Sequence, residues 1–220
     1  YRFGSGPFAY SYLVESTAAQ NSWSEIGKVD YTRVINNRAT LDTSINFYGN
    51  RFPLSARTDL TPIIDDLTGA RRGAFNAPSL PEDRRWHYNT NLNLYAGKHD
   101  MKFGYMYQHY APRFTAYGAP GPPGTVGHFY LATTDGVPSA FWTDNGPLRN
   151  VNVLKNHALF FQDRFQVVAK LTLSYGIRFD QYNSSYPEQR FGLNGIVGPF
   201  AVPTVTPARD VVTFNTLVPR

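Results

Sequence analysis

The sequence predicts an all-β chain. It reads as an antiparallel, up-and-down transmembrane β-barrel segment of roughly seven or eight long strands, left open because the chain is expected to be a fragment. Three observations lead there. Apolar and polar residues alternate with a period of two, which sends them to opposite faces of a strand. The connections alternate between tight turns and long loops rich in Pro and Gly. Charged residues make up only 17% of the chain, against about 25% in ordinary globular proteins, while aromatics reach 15%. No stretch approaches the roughly 18 apolar residues of a membrane helix. That excludes a helical membrane protein and leaves a barrel open, because a barrel strand is polar at every second residue.

The first expected strand places Phe8, Tyr10, Tyr12 and Val14 on one face. A second carries Val29, Tyr31 and Ile35 and reaches back toward Trp23. Asn36–Asn37 turns the chain, since Asn tolerates the left-handed region. The third strand alternates Leu41, Thr43, Ile45 and Phe47 with Asp42, Ser44 and Asn46. In the next hairpin Trp86, Tyr88, Leu92 and Leu94 alternate with His87, Asn89, Asn91 and Asn93. Gly97–Lys98 makes its turn, Gly supplying the positive φ that tight hairpins need. Met101, Phe103, Tyr105 and Tyr107 then alternate with Lys102, Gly104, Met106 and Gln108.

The cleanest hairpin follows. Leu159, Phe161, Phe165 and Val167 oppose Phe160, Gln162, Arg164 and Gln166, and Ala169–Lys170 turns the chain. Leu171, Leu173, Tyr175, Ile177 and Phe179 then oppose Thr172, Ser174, Gly176, Arg178 and Asp180. Asp163 falls on the apolar side, and the sequence offers no reason for it. A last strand begins near Val211.

Between the hairpins run 49–83, 111–153 and 182–210, the second containing GAPGPPG at Gly118 to Gly124. Structureless loops beyond about 15 residues are uncommon in compact domains. Here they recur on alternate connections, the asymmetry of short periplasmic turns and long extracellular loops. A β-sandwich spaces its turns more evenly. Hairpin arms of about 10 to 13 residues suit a tilted membrane strand better than the five or six of soluble sheets. Trp86, Tyr88, Tyr105 and Tyr107 sit where an interfacial girdle would, an apolar ring with a polar tip. Lipid is therefore expected against Leu92, Phe103, Leu171, Leu173 and Ile177. The lumen is expected against Asn91, Asn93, Lys102, Gln162, Arg164, Arg178 and Asp180.

Few residues invite chemistry. The absence of Cys excludes a disulfide framework, a thiolate metal site and a Cys nucleophile. His87, His99, His109, His128 and His157 form no HxH or HxxxH pair, and His87 and His157 are expected on the polar face as solvated residues. Asp65–Asp66, with Thr61 and Thr68, lacks the 12-residue calcium-loop pattern and reads as a solvated turn. In GAPGPPG the prolines remove the amide donors a phosphate cradle needs. Net charge is +5, but Arg71–Arg72 and Arg84–Arg85 form no basic stripe, so no nucleic-acid partner is expected. No catalytic, cofactor or metal residue is assigned, and no enzyme activity is expected. Phe114, Tyr117, Phe129, Tyr130, Phe141 and Trp142 either grip a ligand or pack the loops, so the ligand-binding set stays open.

GKHDMKFG (Gly97 to Gly104), FQDRF (Phe161 to Phe165), LTLSYGIRFD (Leu171 to Asp180) and the closing Pro219–Arg220 resemble barrel segments of TonB-dependent outer-membrane receptors. The nearest group is the Oar-like type, common in acidobacteria. The likeness runs from about residue 85 to the end, and residues 1–84 follow it loosely. It implies a 22-stranded barrel with an N-terminal plug in the bacterial outer membrane. It also implies uptake of a scarce nutrient of siderophore, peptide or glycan type, driven through the plug by the TonB–ExbB–ExbD complex. On this reading residues 1–220 are one partial barrel domain, with no plug, no recognisable energy-coupling box and no terminal aromatic. The start at Tyr1 without a signal peptide and the end at Arg220 fit the expectation of a piece of a longer protein. A full barrel needs more than about 400 residues, of which this chain would supply about a third of the wall. Two alternatives stand beside it. One is a passive porin-like or small outer-membrane barrel. The other is a soluble secreted carbohydrate-binding β-sandwich, whose apolar faces would pack on each other.

Overall fold

The structure is a computed structural model, and it describes residues 13–117, 128–144, 147–191 and 204–219. Seven long strands build the wall: β1 Trp23–Asn36, β2 Ala39–Arg51, β3 Ser79–Ala96, β4 His99–Tyr110, β5 Val153–Val168, β6 Leu171–Tyr186 and β7 Arg209–Pro219. Each pairs antiparallel with the next in sequence, so the sheet is an uninterrupted meander. β1 and β7 each have one wall neighbour, and the sheet is not closed.

Register turns the sequence alternation into two surfaces. Leu41, Leu92, Phe103, Phe161 and Ile177 lie directly across from one another on five successive strands. One residue along, Asp42, Asn91, Gly104, Phe160 and Arg178 form the matching row on the other side. A slip of one residue in any pair would exchange the two sets, so the pattern pins the register.

The tight turns are Asn37–Arg38, one residue beyond the expected Asn36–Asn37, and Gly97–Lys98 and Ala169–Lys170. In the first, the Asn36 side-chain carbonyl accepts the Arg38 amide at 2.8 Å, the short-range bond that makes Asn a turn former. Gly97 takes φ 60°, where a Cβ would be strained.

Three expectations change. The first expected strand is absent where it can be seen: Val14 lies in a 3₁₀ turn, Val14–Ser16, and Phe8, Tyr10 and Tyr12 lie outside the described residues, as does GAPGPPG. The wall strands run from 11 to 18 residues rather than about 10 to 13, because short loop strands extend the wall at its far end. Arg113–Ala116, for example, pairs with both Leu148–Val151 and the start of β3. The long loops are also not structureless. Val137–Asp144, His128–Thr134, Ile63–Asp65 and Arg71–Arg72 form a second, four-stranded sheet.

The core contains almost nothing apolar. Among the described residues the buried hydrophobics are all alanines (Ala39, Ala74, Ala111, Ala132 and Ala158), and the largest fully buried side chains are Asp163 and Pro62. Phe103, Leu173, Ile177 and Leu217 are 41%, 49%, 47% and 66% exposed. Fully burying such side chains is worth roughly 1.5–3 kcal/mol each, a driving force this sheet leaves unspent. No second layer covers the apolar face among the described residues, so the β-sandwich alternative lacks its defining contact. A hydrocarbon environment supplies that contact in a membrane barrel.

Candidate functional site

The polar face is held by side-chain hydrogen bonds between strands. Thr32 on β1 donates to Asp42 on β2 at 2.8 Å. Asn93 on β3 donates to the other Asp42 oxygen at 2.7 Å and to Thr40 at 3.1 Å. On β6 the Arg178 guanidinium grips both oxygens of Asp180, each at 2.7 Å, a bidentate pair. Asn91, Arg178 and Asp180 thus stand where the alternation put them. Phe160 is a large apolar side chain on this face. Its ring lies over Gly104, where any added Cβ would collide with it. A glycine cleft under a ring closes a gap in the sheet surface without exposing the ring fully.

The opposite face carries an aromatic belt toward the loop end. Phe47 and Trp86 meet at 4.7 Å between ring centres, Tyr88 and Tyr105 at 6.1 Å, and Tyr107 and His157 at 4.6 Å. Of the predicted girdle residues, Tyr88 and Tyr107 lie directly across from each other, with Trp86 two residues nearer the loops and Tyr105 two residues nearer the tight turns. His157 corrects an expectation. It shares parity with Leu159 and Phe161, stands on the apolar face, and its Nδ1 lies 2.9 Å from the Tyr105 hydroxyl. His87 does lie on the polar face, with its Nε2 buried and unpartnered.

Asp163, unexplained by the sequence, has two partners on the apolar face. Its Oδ2 lies 2.6 Å from His99 Nδ1 on β4 and accepts the Tyr175 hydroxyl of β6 at 2.7 Å. Phe165 stacks flat on His99, 4.4 Å between centres.

The loop layer is organised by Asp65. Expected as part of a solvated turn, it is 7% exposed. Its Oδ1 accepts the amide and hydroxyl of Thr68, and its Oδ2 accepts the Thr133 hydroxyl and the Gly136 amide. The Gly136 amide first, then the Thr68 amide and the two hydroxyls, hold the Asp65 carboxyl well below its ordinary range. Parallel pairing of Ile63–Asp65 with Leu131–Thr133 joins the loop after β2 to the loop after β4. Thr61, also considered with this cluster, points its carbonyl oxygen into the space that a Cβ at residue 73 would need.

The loop aromatics do not form one cluster. Phe129 and Phe141 pair at 4.7 Å, and Tyr130 stacks with Trp142 at 6.2 Å, on a single hairpin. Phe114 lies on another strand, and Tyr117 follows it. A cavity of about 580 Å³ opens on the polar face at the loop end of β3 to β7, with Arg85, Gln108, Tyr110, Asn156, Tyr182 and Phe214 in its wall. Sequence reasoning missed it, because its residues come from five strands and carry no motif.

An antiparallel meander with one bare apolar face, one hydrogen-bonded polar face, an aromatic belt, short turns at one end and ordered loops at the other is the wall of an outer-membrane β-barrel. The chain belongs to the outer membrane beta barrel domain family, whose model matches residues 8–201, and its place is the bacterial outer membrane. Among solved structures it is similar to the open form of the ferric-catecholate import receptor Fiu from E. coli K12. The TM-score is 0.52 at 16% identity, over 91% of this chain and 33% of the receptor. The chain thus spans about a third of that receptor's length, and the likeness is one of fold. No curated protein matches the sequence.

Proposed function

We propose that this chain is part of the barrel wall of a TonB-dependent transporter of the Oar-like type, taking up a scarce nutrient of siderophore, peptide or glycan class. The observation that carries this reading is the loop layer. Two long loops are locked to each other through Asp65 and a parallel strand pair, and the polar face has its own cavity. Passive diffusion needs only an open polar lumen, whereas capture of a dilute solute needs pre-ordered walls around it. The likeness to a receptor barrel supports the same reading. Lipid contacts the apolar face, the solute meets the polar face, and no bond is made or broken. Energy would reach the barrel from the TonB–ExbB–ExbD complex through a plug.

The test is uptake by cells carrying the whole protein. Energised import that stops when the proton gradient is collapsed, or when the TonB partner is deleted, supports the proposal. Import that continues unchanged supports the porin-like alternative.

A further inference from the structure

We propose that the cavity at the loop end of the polar face binds the carboxylate end of a short peptide that carries an aromatic side chain near that end. The proposal rests on reading the polar face as the lumen of an uptake barrel.

One end of the cavity is cationic. The Arg85 guanidinium lies 4.9 Å from the centre of the Tyr110 ring. It has no carboxylate within ion-pair distance among the described residues, whereas Arg178 and Arg51 are each paired. The nearby acid, Asp83, is engaged by the Tyr110 hydroxyl at 2.8 Å. Arg85 is thus held in place without being neutralised, ready for a planar anion that it can meet bidentately.

The other end is flat and apolar. Tyr182 and Phe214 stack at 4.7 Å and 17°, and Phe214 is 49% exposed. A third ring can extend the stack. Between the two ends stands Asn156, which is 7% exposed with its Oδ1 buried and unpartnered. A buried acceptor without a donor calls for an N–H or O–H from a ligand.

Spacing selects the ligand. β3 and β7 are four strand intervals apart, so the anchors of Arg85 and Phe214 lie roughly 19 Å apart along the sheet. Arg85 leans over Tyr110 by about one interval, leaving roughly 10–14 Å between the cation and the ring stack. A phosphate or a lone aryl acid cannot reach both. A peptide of three or four residues, at about 3.3 Å each, does so and presents a backbone N–H to Asn156 on the way. A neutral glycan would leave Arg85 without use.

The experiment is calorimetric titration of the intact detergent-solubilised barrel with N-acetyl-Phe-Gly-Gly, as the free acid and as its C-terminal amide. The acid should bind about tenfold more tightly than the amide, as expected for one charge-assisted contact. Arg85→Gln should erase that preference, and a circular dichroism spectrum matching that of the unsubstituted barrel shows that the variant is folded. Phe214→Ala should weaken acid and amide alike. Equal binding of acid and amide, no binding of either, or a preference that survives Arg85→Gln would overturn the assignment. Energised nutrient uptake by a barrel that ignores both peptides would overturn the cavity's role alone. Gradient-independent uptake would overturn the transport reading instead.

Discussion

Asp163 and His99, 64 residues apart in sequence, meet at 2.6 Å on the face of the wall that carries Phe103, Phe161 and Ile177. With Tyr175 they link three successive strands, β4, β5 and β6. An ionisable side chain facing lipid is costly unless its partners satisfy it. Removing one member alone should therefore be worse than removing all three, because the survivors are left unpaired. Asp163→Ala is expected to lower the urea midpoint of the folded barrel. The triple variant Asp163→Leu, His99→Leu, Tyr175→Phe is expected to recover most of it. A triple variant less stable than Asp163→Ala would contradict this account.

Charge placed on the two faces should have unequal effects. Ile177 lies in the middle row of the apolar face, between the Asp163 cluster and the aromatic belt. Ile177→Arg should cost roughly 2–4 kcal/mol, the range for arginine at a bilayer midplane. Leu173→Arg, closer to the tight turns, should cost less, and Thr172→Arg on the polar face should be milder still. Folding titrations into vesicles measure all three, and equal penalties would show that the faces are wrongly assigned.

The legible part of this protein was the part governed by period two. In β6, Leu171 to Asp180 sorts its side chains without reference to any other strand, so both faces and the Ala169–Lys170 turn were readable directly. What needed a partner strand was not readable. Asp163 makes sense only beside His99 and Tyr175, and Phe160 only above Gly104. The loop layer was invisible for the same reason: Asp65 finds Thr133 and Gly136 about 70 residues away, and no local pattern announces that. The cavity around Arg85 combines five strands, each contributing one to three residues. His157 follows its parity, which is that of Leu159, and not its polar chemistry.

Gly104 should resist substitution through Phe160 rather than through backbone strain, since its φ is not in the left-handed region. Gly104→Val should destabilise by about 1–3 kcal/mol, the usual range for overpacking. Phe160→Ala in the same chain should relieve the clash, giving a pair less damaging than the sum of its members. Unfolding titrations of the two single variants and the double variant complete the cycle. Strict additivity would mean that the ring does not lie over residue 104.

Acid should loosen the loop layer before the wall. Asp65 has its carboxyl depressed below the ordinary 3.8 by the Gly136 and Thr68 amides and two hydroxyls. The folded layer thus favours the ionised form more than the unfolded layer does. Its contribution is fully present above the ordinary value and declines as pH falls from about 4 toward the depressed folded value. Above pH 5 no change is expected from this group. Hydrogen exchange of peptides from 60–75 and 128–144, followed from pH 6 down to 2.5 and corrected for intrinsic rates, should show protection lost below about pH 4. Peptides from β5 and β6 should keep theirs over that range. Asp65→Asn retains an acceptor but no charge, so it should remove the pH step and lower protection at neutral pH. A step of unchanged size in that variant would mean that a different group drives the opening.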